Sequence, residues 1–226
     1  MHNLSLSSRS VLNRHTAARF TGDTLFDRIA RAVCEAECLP RKELFEAWEA
    51  AKRIRRRMRG GPVLELAAGH GLLSAMLILL DDTTPAATCV DPMRPPSQER
   101  VLAALEKHWP RLKGRVRFAK SRIVDAEVPD GALLVSVHAC GVLTDQVLDL
   151  AIESRSRVAV LPCCHALGKC DLGALSGWMD GALAVDVTRL TRLLQAGFKV
   201  YTATIPAEIT PQNRLLMGWP ENAPQR

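Results

Sequence analysis

The chain has 226 residues, 47% of them apolar and 24% charged, with a formal net charge of +6. That is enough to bury a sizeable core as one large domain, or as a domain with an appendage. The seven cysteines are odd in number and several lie inside apolar runs, which argues against a disulfide framework, and no apolar stretch approaches the ~20 residues of a membrane span.

The first twenty residues, "MHNLSLSSRSVLNRHTAARF", are rich in Ser and Arg, lack acids and have no apolar signal core. They read as an irregular basic lead-in to a cytoplasmic protein rather than as a transit peptide. "DTLFDRIARAVCEAECLP" predicts an amphipathic helix with Leu25, Ile29, Ala32, Val33 and Ala36 on one face. Asp23 or Thr24 caps it, and Pro40 follows. "RKELFEAWEAAKRIRRRM" predicts a second helix, with Leu44, Phe45, Trp48, Ala51 and Met58 inward. Its end packs Lys52, Arg53, Arg55, Arg56, Arg57 and Arg59 into eight residues. The cluster is either a footprint for a polyanion such as nucleic acid or a solvated helix end that complements the C-terminal dipole. Six cations exceed what a dipole needs, so the polyanion is preferred. Residues 1–59 thus form a helical appendage and 60–226 a separate domain.

From Val63 onward strand and helix patterns alternate. "VLELA", "AATCVD", "RVRFAKS", "ALLVSVHAC" and "RVAVLPCC" are strand-like apolar runs, separated mostly by helical patterns. One of those helices begins near Ser97, a plausible cap. "KVYTATIP" and "NRLLMGW" follow without a helix between them, and suit an antiparallel pair at the sheet edge. The fold class expected is α/β: a doubly wound, seven-stranded, mostly parallel sheet with an N-terminal helical appendage.

Ligands of such sheets sit beyond the carboxyl ends of the strands. There the chain places "ELAAGHG". Gly69 and Gly71 allow a sharp turn into a helix, where backbone amides can meet a ligand closely; a plain turn in an α/β protein is the alternative. The second strand ends at Asp91, a carboxylate suited to the two hydroxyls of a ribose. Glu65, before the turn, repels a pyrophosphate and attracts a cation. S-adenosylmethionine carries both an ammonium and a sulfonium, so it is favoured over a nicotinamide dinucleotide. No Walker lysine follows Gly71.

"ELAAGHG", then "VDP", then "VSVHACGVLTDQVLDLAI" and "VAVLPCCH" resemble the seven-strand S-adenosylmethionine-dependent methyltransferases. More narrowly they resemble the methyltransferase-domain family that includes the eukaryotic tRNA 2′-O-methyltransferases acting on the acceptor stem. The likeness covers about residues 60 to 218. Ala67 replaces the family's first glycine, and that family's Cys/His-rich zinc fingers are not evident. The resemblance implies an S-adenosylmethionine site formed by Glu65, Ala67, Gly69, His70, Gly71, Asp91, Pro92, Asp125 and His138, with Asp125 facing the adenine.

Methyl transfer needs in-line positioning and, for some acceptors, removal of a proton. His138, at the end of the fourth strand, is the candidate general base; a loop-bonded histidine is the alternative. Asp145 either orients His138 or caps the next helix with Thr144. Cys140 and Cys163 follow neighbouring strands, as in RNA cytosine-5 methyltransferases, which permits covalent catalysis; close packing under the cofactor is the preferred reading. Adjacent Cys163 and Cys164 are poor chelating geometry, and no metal is expected. Asp186 and Arg189 share a helical face, preferred as a local ion pair, with lining of the acceptor cleft as the alternative. Arg55, Arg56, Cys163, His165, Asn213 and Arg214 are the candidate acceptor-binding residues. The function expected is a methyltransferase acting on RNA, tRNA or rRNA, with no stable protein partner and no membrane association. A small-molecule or protein methyltransferase, or a noncatalytic module of this fold, are the alternatives.

Overall fold

The structure is a computed structural model and describes residues 5–162 and 164–221. Seven strands form one sheet: β1 Val63–Leu66, β2 Ala87–Asp91, β3 Val116–Lys120, β4 Leu133–Ser136, β5 Arg157–Val160, β6 Phe198–Thr204 and β7 Arg214–Pro220. Their order is β3-β2-β1-β4-β5-β7-β6. All neighbours are parallel up to β5; β7 runs antiparallel between β5 and β6. The last strand of the chain is therefore inserted, and β6 is the edge.

Successive side chains of a strand point to opposite faces, and the strands divide their apolar residues accordingly. Val63, Cys89, Leu133, Val135, Ala159, Leu215 and Met217 face one core. Leu64, Leu66, Val90, Leu134, Val158, Val160 and Leu216 face the other. Helices α2 Leu25–Ala36, α3 Arg41–Arg57, α4 Leu72–Leu80 and α5 Pro96–His108 cover the first face. Helices α6 Val142–Glu153 and α7 Gly181–Gln195 cover the second. Covering on both faces explains why every residue of β1 and β4 is buried.

Helices α2 and α3 share one core with the sheet. Ile29, Val33, Leu44, Ala50 and Ile54 are buried together with Val63, Leu73 and Leu77. Thr24 caps α2 by accepting from the Asp27 amide at 3.2 Å. The lead-in is not wholly irregular: Asn13 caps a single turn, α1 Arg14–Ala17. Before it, residues 8–12 are strapped along residues 39–42. The Leu12 amide donates to Leu39 O at 2.9 Å, Arg41 to Ser10 O at 3.0 Å and Lys42 to Ser8 O at 2.9 Å.

Two local expectations change. Ser97 does not cap α5: Pro95 is the N-cap residue and Pro96 opens the helix with its fixed φ. Strands β4 and β5 also end sooner than their apolar runs. The Ser136 hydroxyl accepts from the Ala139 amide at 3.2 Å and turns the chain, so His138, Cys140, Cys164 and His165 stand on loops beyond the sheet. Among the described residues no helix is long and apolar enough to cross a membrane.

Candidate active site

The strand order reverses between β1 and β4, and a crevice must open there at the carboxyl ends. The structure has a recess at that place. It is lined by Glu65 and Ala68 after β1, His70, Leu72 and Leu73 at the start of α4, Val137 and His138 after β4, and Leu39, Glu43 and Ala47 from the N-terminal helices.

The glycine turn shapes its floor. Gly71 has φ +67°, and a Cβ there would lie 2.9 Å from Cys89 Sγ and 3.1 Å from Gln98 Nε2. Only glycine fits. A Cβ on Gly69, at φ +49°, would meet nothing within 4 Å. The space above Gly69 is open, as a ligand lying on the turn requires. Ala67 has φ +52°, a left-handed conformation that costs an alanine about 1–2 kcal/mol. Asp91 ends β2 beside the turn. Its Oδ2 accepts from the Gly69 amide and its Oδ1 from the Met93 amide, each at 3.3 Å.

Glu65 lies beneath the turn, 5% exposed. Its Oε2 accepts from the Ser74 amide at 2.8 Å, which satisfies one of the unpaired amides of the first turn of α4. Burial pushes its carboxyl up to about 7, against the pull of the Ser74 bonds. On the opposite wall Glu43 Oε2 meets His70 Nε2 at 3.1 Å. Burial raises the Glu43 carboxyl, but the His70 hydrogen bond and the nearby His138, His70 and Lys42 outweigh it, so it titrates below the ordinary range. His138 is pushed down, chiefly by burial, with Glu43 and Glu46 opposing, and is neutral at pH 7.

Several expected site residues have other work. Arg55 is not a phosphate ligand. It is 3% exposed and donates to Leu77 O at 3.1 Å, Met58 O at 3.2 Å and Thr84 Oγ1 at 2.7 Å, with Asp81 Oδ2 at 3.4 Å, locking α3 to the end of α4. Its neighbours Lys52 and Arg53 pair with Glu49, and Arg57 lies 3.9 Å over the Tyr201 ring. Arg56 and Arg59 stay exposed. They stand about 20 Å along α3 from Glu43, where Arg157 Nη1 donates to Arg59 O at 2.7 Å on the amino side of the sheet.

Asp145 neither orients His138 nor caps α6. It accepts from Arg189 Nε and Nη2 at 3.0 and 2.9 Å, and Gly141 is the N-cap residue. His165 Nε2 meets Asp186 Oδ1 at 2.7 Å, and Arg214 Nε donates to Asp186 Oδ2 at 2.6 Å. The expected Asp186–Arg189 pair is present at 3.6 Å, as one edge of this larger network. Asn213 Nδ2 donates to Ile205 O at 2.8 Å and fixes the turn between β6 and β7. Asp125 is exposed and paired with Arg122 at 2.6 Å, after β3. Pro92 is exposed just past Asp91. Cys163 lies outside the described residues.

The recess thus brings together Glu65, His70 and His138, with Gly69, Gly71 and Asp91 around the turn, and leaves Asp145, His165 and Arg214 in a separate ion network. Glu43 and Leu39 escape a reading of the sequence. An acid in the first turn of a helix is ordinary dipole chemistry, and nothing local says that this end of α3 reaches β1.

A family model described as a methyltransferase domain matches residues 43–169, from Glu43 on α3 to the loop after β5. No curated protein matches the sequence. Among solved structures, the chain superposes on a protein from Corynebacterium glutamicum with a TM-score of 0.56 at 18% identity, covering 92% of this chain and 96% of that one. An O-methyltransferase family protein from Burkholderia thailandensis aligns with a TM-score of 0.51 at 17% identity, over 91% of this chain and 62% of its own. The tRNA methyltransferase TrmK from Bacillus subtilis aligns with a TM-score of 0.52 at 11% identity, over 77% of this chain and 65% of its own. The chain spans less than two thirds of the length of the last two. These likenesses establish a shared Rossmann-like methyltransferase fold.

Proposed function

The chain belongs to the methyltransferase-domain family, and from that premise we propose that it transfers the methyl group of S-adenosylmethionine to RNA, tRNA or rRNA. The residues at the recess fit such a donor. The turn is open above Gly69, Asp91 presents a carboxylate at the end of β2, and His70 Nδ1 is buried without a hydrogen-bond partner. The donor supplies an electrophilic methyl group on a sulfonium. The chain supplies position, and His138, on the recess wall and neutral at pH 7, is the group that takes a proton from the acceptor.

The observation that carries the RNA reading is the basic strap. Residues 8–12 are bonded along residues 39–42, and Leu39 lines the recess. The strap carries the exposed Arg9, and the exposed Arg14 and Arg19 follow it in the chain. The cations that were the obvious candidates, at the end of α3, are largely engaged or lie on the far side. A polyanion that reaches the recess therefore meets Arg9 and Arg14 before Arg56 and Arg59.

The test is transfer of labelled methyl from S-adenosylmethionine to fractionated cellular RNA, with affinity followed against salt. Replacing Arg9 and Arg14 by Ala lowers the slope of log affinity against log salt by about 1 to 2, whereas Arg56→Ala with Arg59→Ala changes it less. Label entering only protein or small molecules would overturn the RNA acceptor.

A further inference from the structure

We propose that Glu43, on the N-terminal helix α3, is the carboxylate that binds the ammonium group of the donor's amino-acid tail. The sequence points to Glu65 for that charge. The proposal rests on the S-adenosylmethionine reading above and adds to it the residue that recognises the cation.

Two carboxylates line the recess, Glu43 and Glu65. Glu65 is already committed: one oxygen holds the Ser74 amide at 2.8 Å, the side chain is buried, and Cys89 Sγ stands 3.9 Å away. Burial raises its carboxyl to about 7, so near neutral pH it carries about half a charge. Glu43 differs on each count. Its side chain is 28% exposed, the His70 hydrogen bond and Lys42 hold its carboxyl below the ordinary range against the effect of burial, and the His70 bond engages Oε2 alone.

The surroundings of Glu43 also hold unmet acceptors. When His70 Nε2 donates to Glu43, the other ring nitrogen is an acceptor. That atom, Nδ1, is buried and has no hydrogen-bond partner. One turn further along the same face of α3, Glu46 is 1% exposed; its Oε1 pairs with Lys42, while Oε2 is a second buried acceptor without a donor. A carboxylate beside buried, unmet acceptors calls for a cation with several N–H groups. A primary ammonium has three. A carboxylate or phosphate placed there would find a negative charge and lone pairs.

Calorimetric titration at pH 7.5 separates the assignments with two ligands. S-adenosylhomocysteine carries the ammonium; 5′-methylthioadenosine keeps the nucleoside and the sulfur but lacks the tail. Glu43→Gln is expected to weaken S-adenosylhomocysteine about tenfold or more, the scale of one charge-assisted bond, and to leave methylthioadenosine within about twofold. Glu65→Gln is expected to weaken either ligand by less than about threefold. Equal affinity of the Glu43→Gln variant and the parent for S-adenosylhomocysteine overturns the proposal. So does an equal loss for both ligands in a variant that melts with the parent. Should the variant unfold, Glu43→Asp, which keeps the charge on a shorter side chain, takes its place: a loss for S-adenosylhomocysteine with methylthioadenosine unchanged supports the proposal, and unchanged affinity for both overturns it. A parent that binds no adenosyl ligand at all rejects the methyltransferase reading, which is a different outcome from losing Glu43.

Discussion

Two regions near the carboxyl edge hold buried charged groups, and they are built on opposite rules. Between α6, α7 and β7 the charges answer one another. Arg189, 1% exposed, holds Asp145 and the Gly141 carbonyl, and Asp186 is shared by His165 and Arg214. Even Arg189 Nη1, which makes no hydrogen bond, lies 3.6 Å from Asp186. In the recess between β1 and β4 the groups answer one another only in part: Glu43 meets His70 and Glu65 holds the Ser74 amide. His70 Nδ1 lacks a partner, Glu65 titrates near neutrality, and His138 is pushed toward its neutral form. A closed network fixes the position of loops and helices. An open one waits for something to complete it.

The contrast breaks most directly at Arg189. Replacing it by Ala leaves Asp145 without its main buried countercharge, and a loss of about 3–5 kcal/mol is expected in denaturant unfolding. The surviving folded protein should bind S-adenosylhomocysteine as the parent does. A small stability loss with a large affinity loss would move the functional site to that network.

Glu65→Gln tests the other side. The folded carboxyl titrates near 7 and the unfolded one near 4.5, so the folded state holds the proton more tightly. Such a group lowers stability as pH rises from about 4.5, with the full deficit above about 7. Gln removes that deficit and can still accept from the Ser74 amide. The variant without ligand should gain on the order of 1–3 kcal/mol at pH 8 and little at pH 4.5. His138 has the reverse sign: its lowered value means that the unfolded state binds more protons, so stability is lost as pH falls below about 6.5. His138→Gln should flatten that acid limb in thermal melts.

Smaller effects refine the picture of the turn. Gly71→Ala meets both a positive φ and the Cys89 sulfur, and should cost about 2 kcal/mol. Gly69→Ala meets open space, so its stability loss is smaller and its effect falls on donor affinity. Ala67→Gly relieves a left-handed alanine at the price of a looser unfolded chain, and a gain of about 0–1 kcal/mol in thermal unfolding is expected.

The doubly wound sheet was legible because its signals are local and repeated. Apolar runs marked each strand, and the helical period of "LLSAMLILL" matched α4 residue for residue. The turn was legible for the same reason, since glycines and a following helix leave few conformations open. What sequence could not reveal is which charges meet across the fold. Arg55 and Arg56 look alike in "KRIRRRMR", yet helical phase turns the first to Thr84 and Asp81 and the second to solvent. Asp145 suits a cap by composition and is instead claimed by α7, 44 residues away. The insertion of β7 beside β5 follows from pairing over a long loop, and no residue pattern encodes that order. Glu43 is separated from His70 by a whole helix and a strand, so their bond has no signature in the chain.

The central claim is that the recess beside β1 accepts a positively charged adenosyl compound. Calorimetry of the purified protein with S-adenosylmethionine and with NAD, at pH 7.5 and equal concentrations, tests it most directly. The predicted result is saturable heat from the first and none from the second. Saturable heat from NAD, with none from S-adenosylhomocysteine or S-adenosylmethionine, would contradict it.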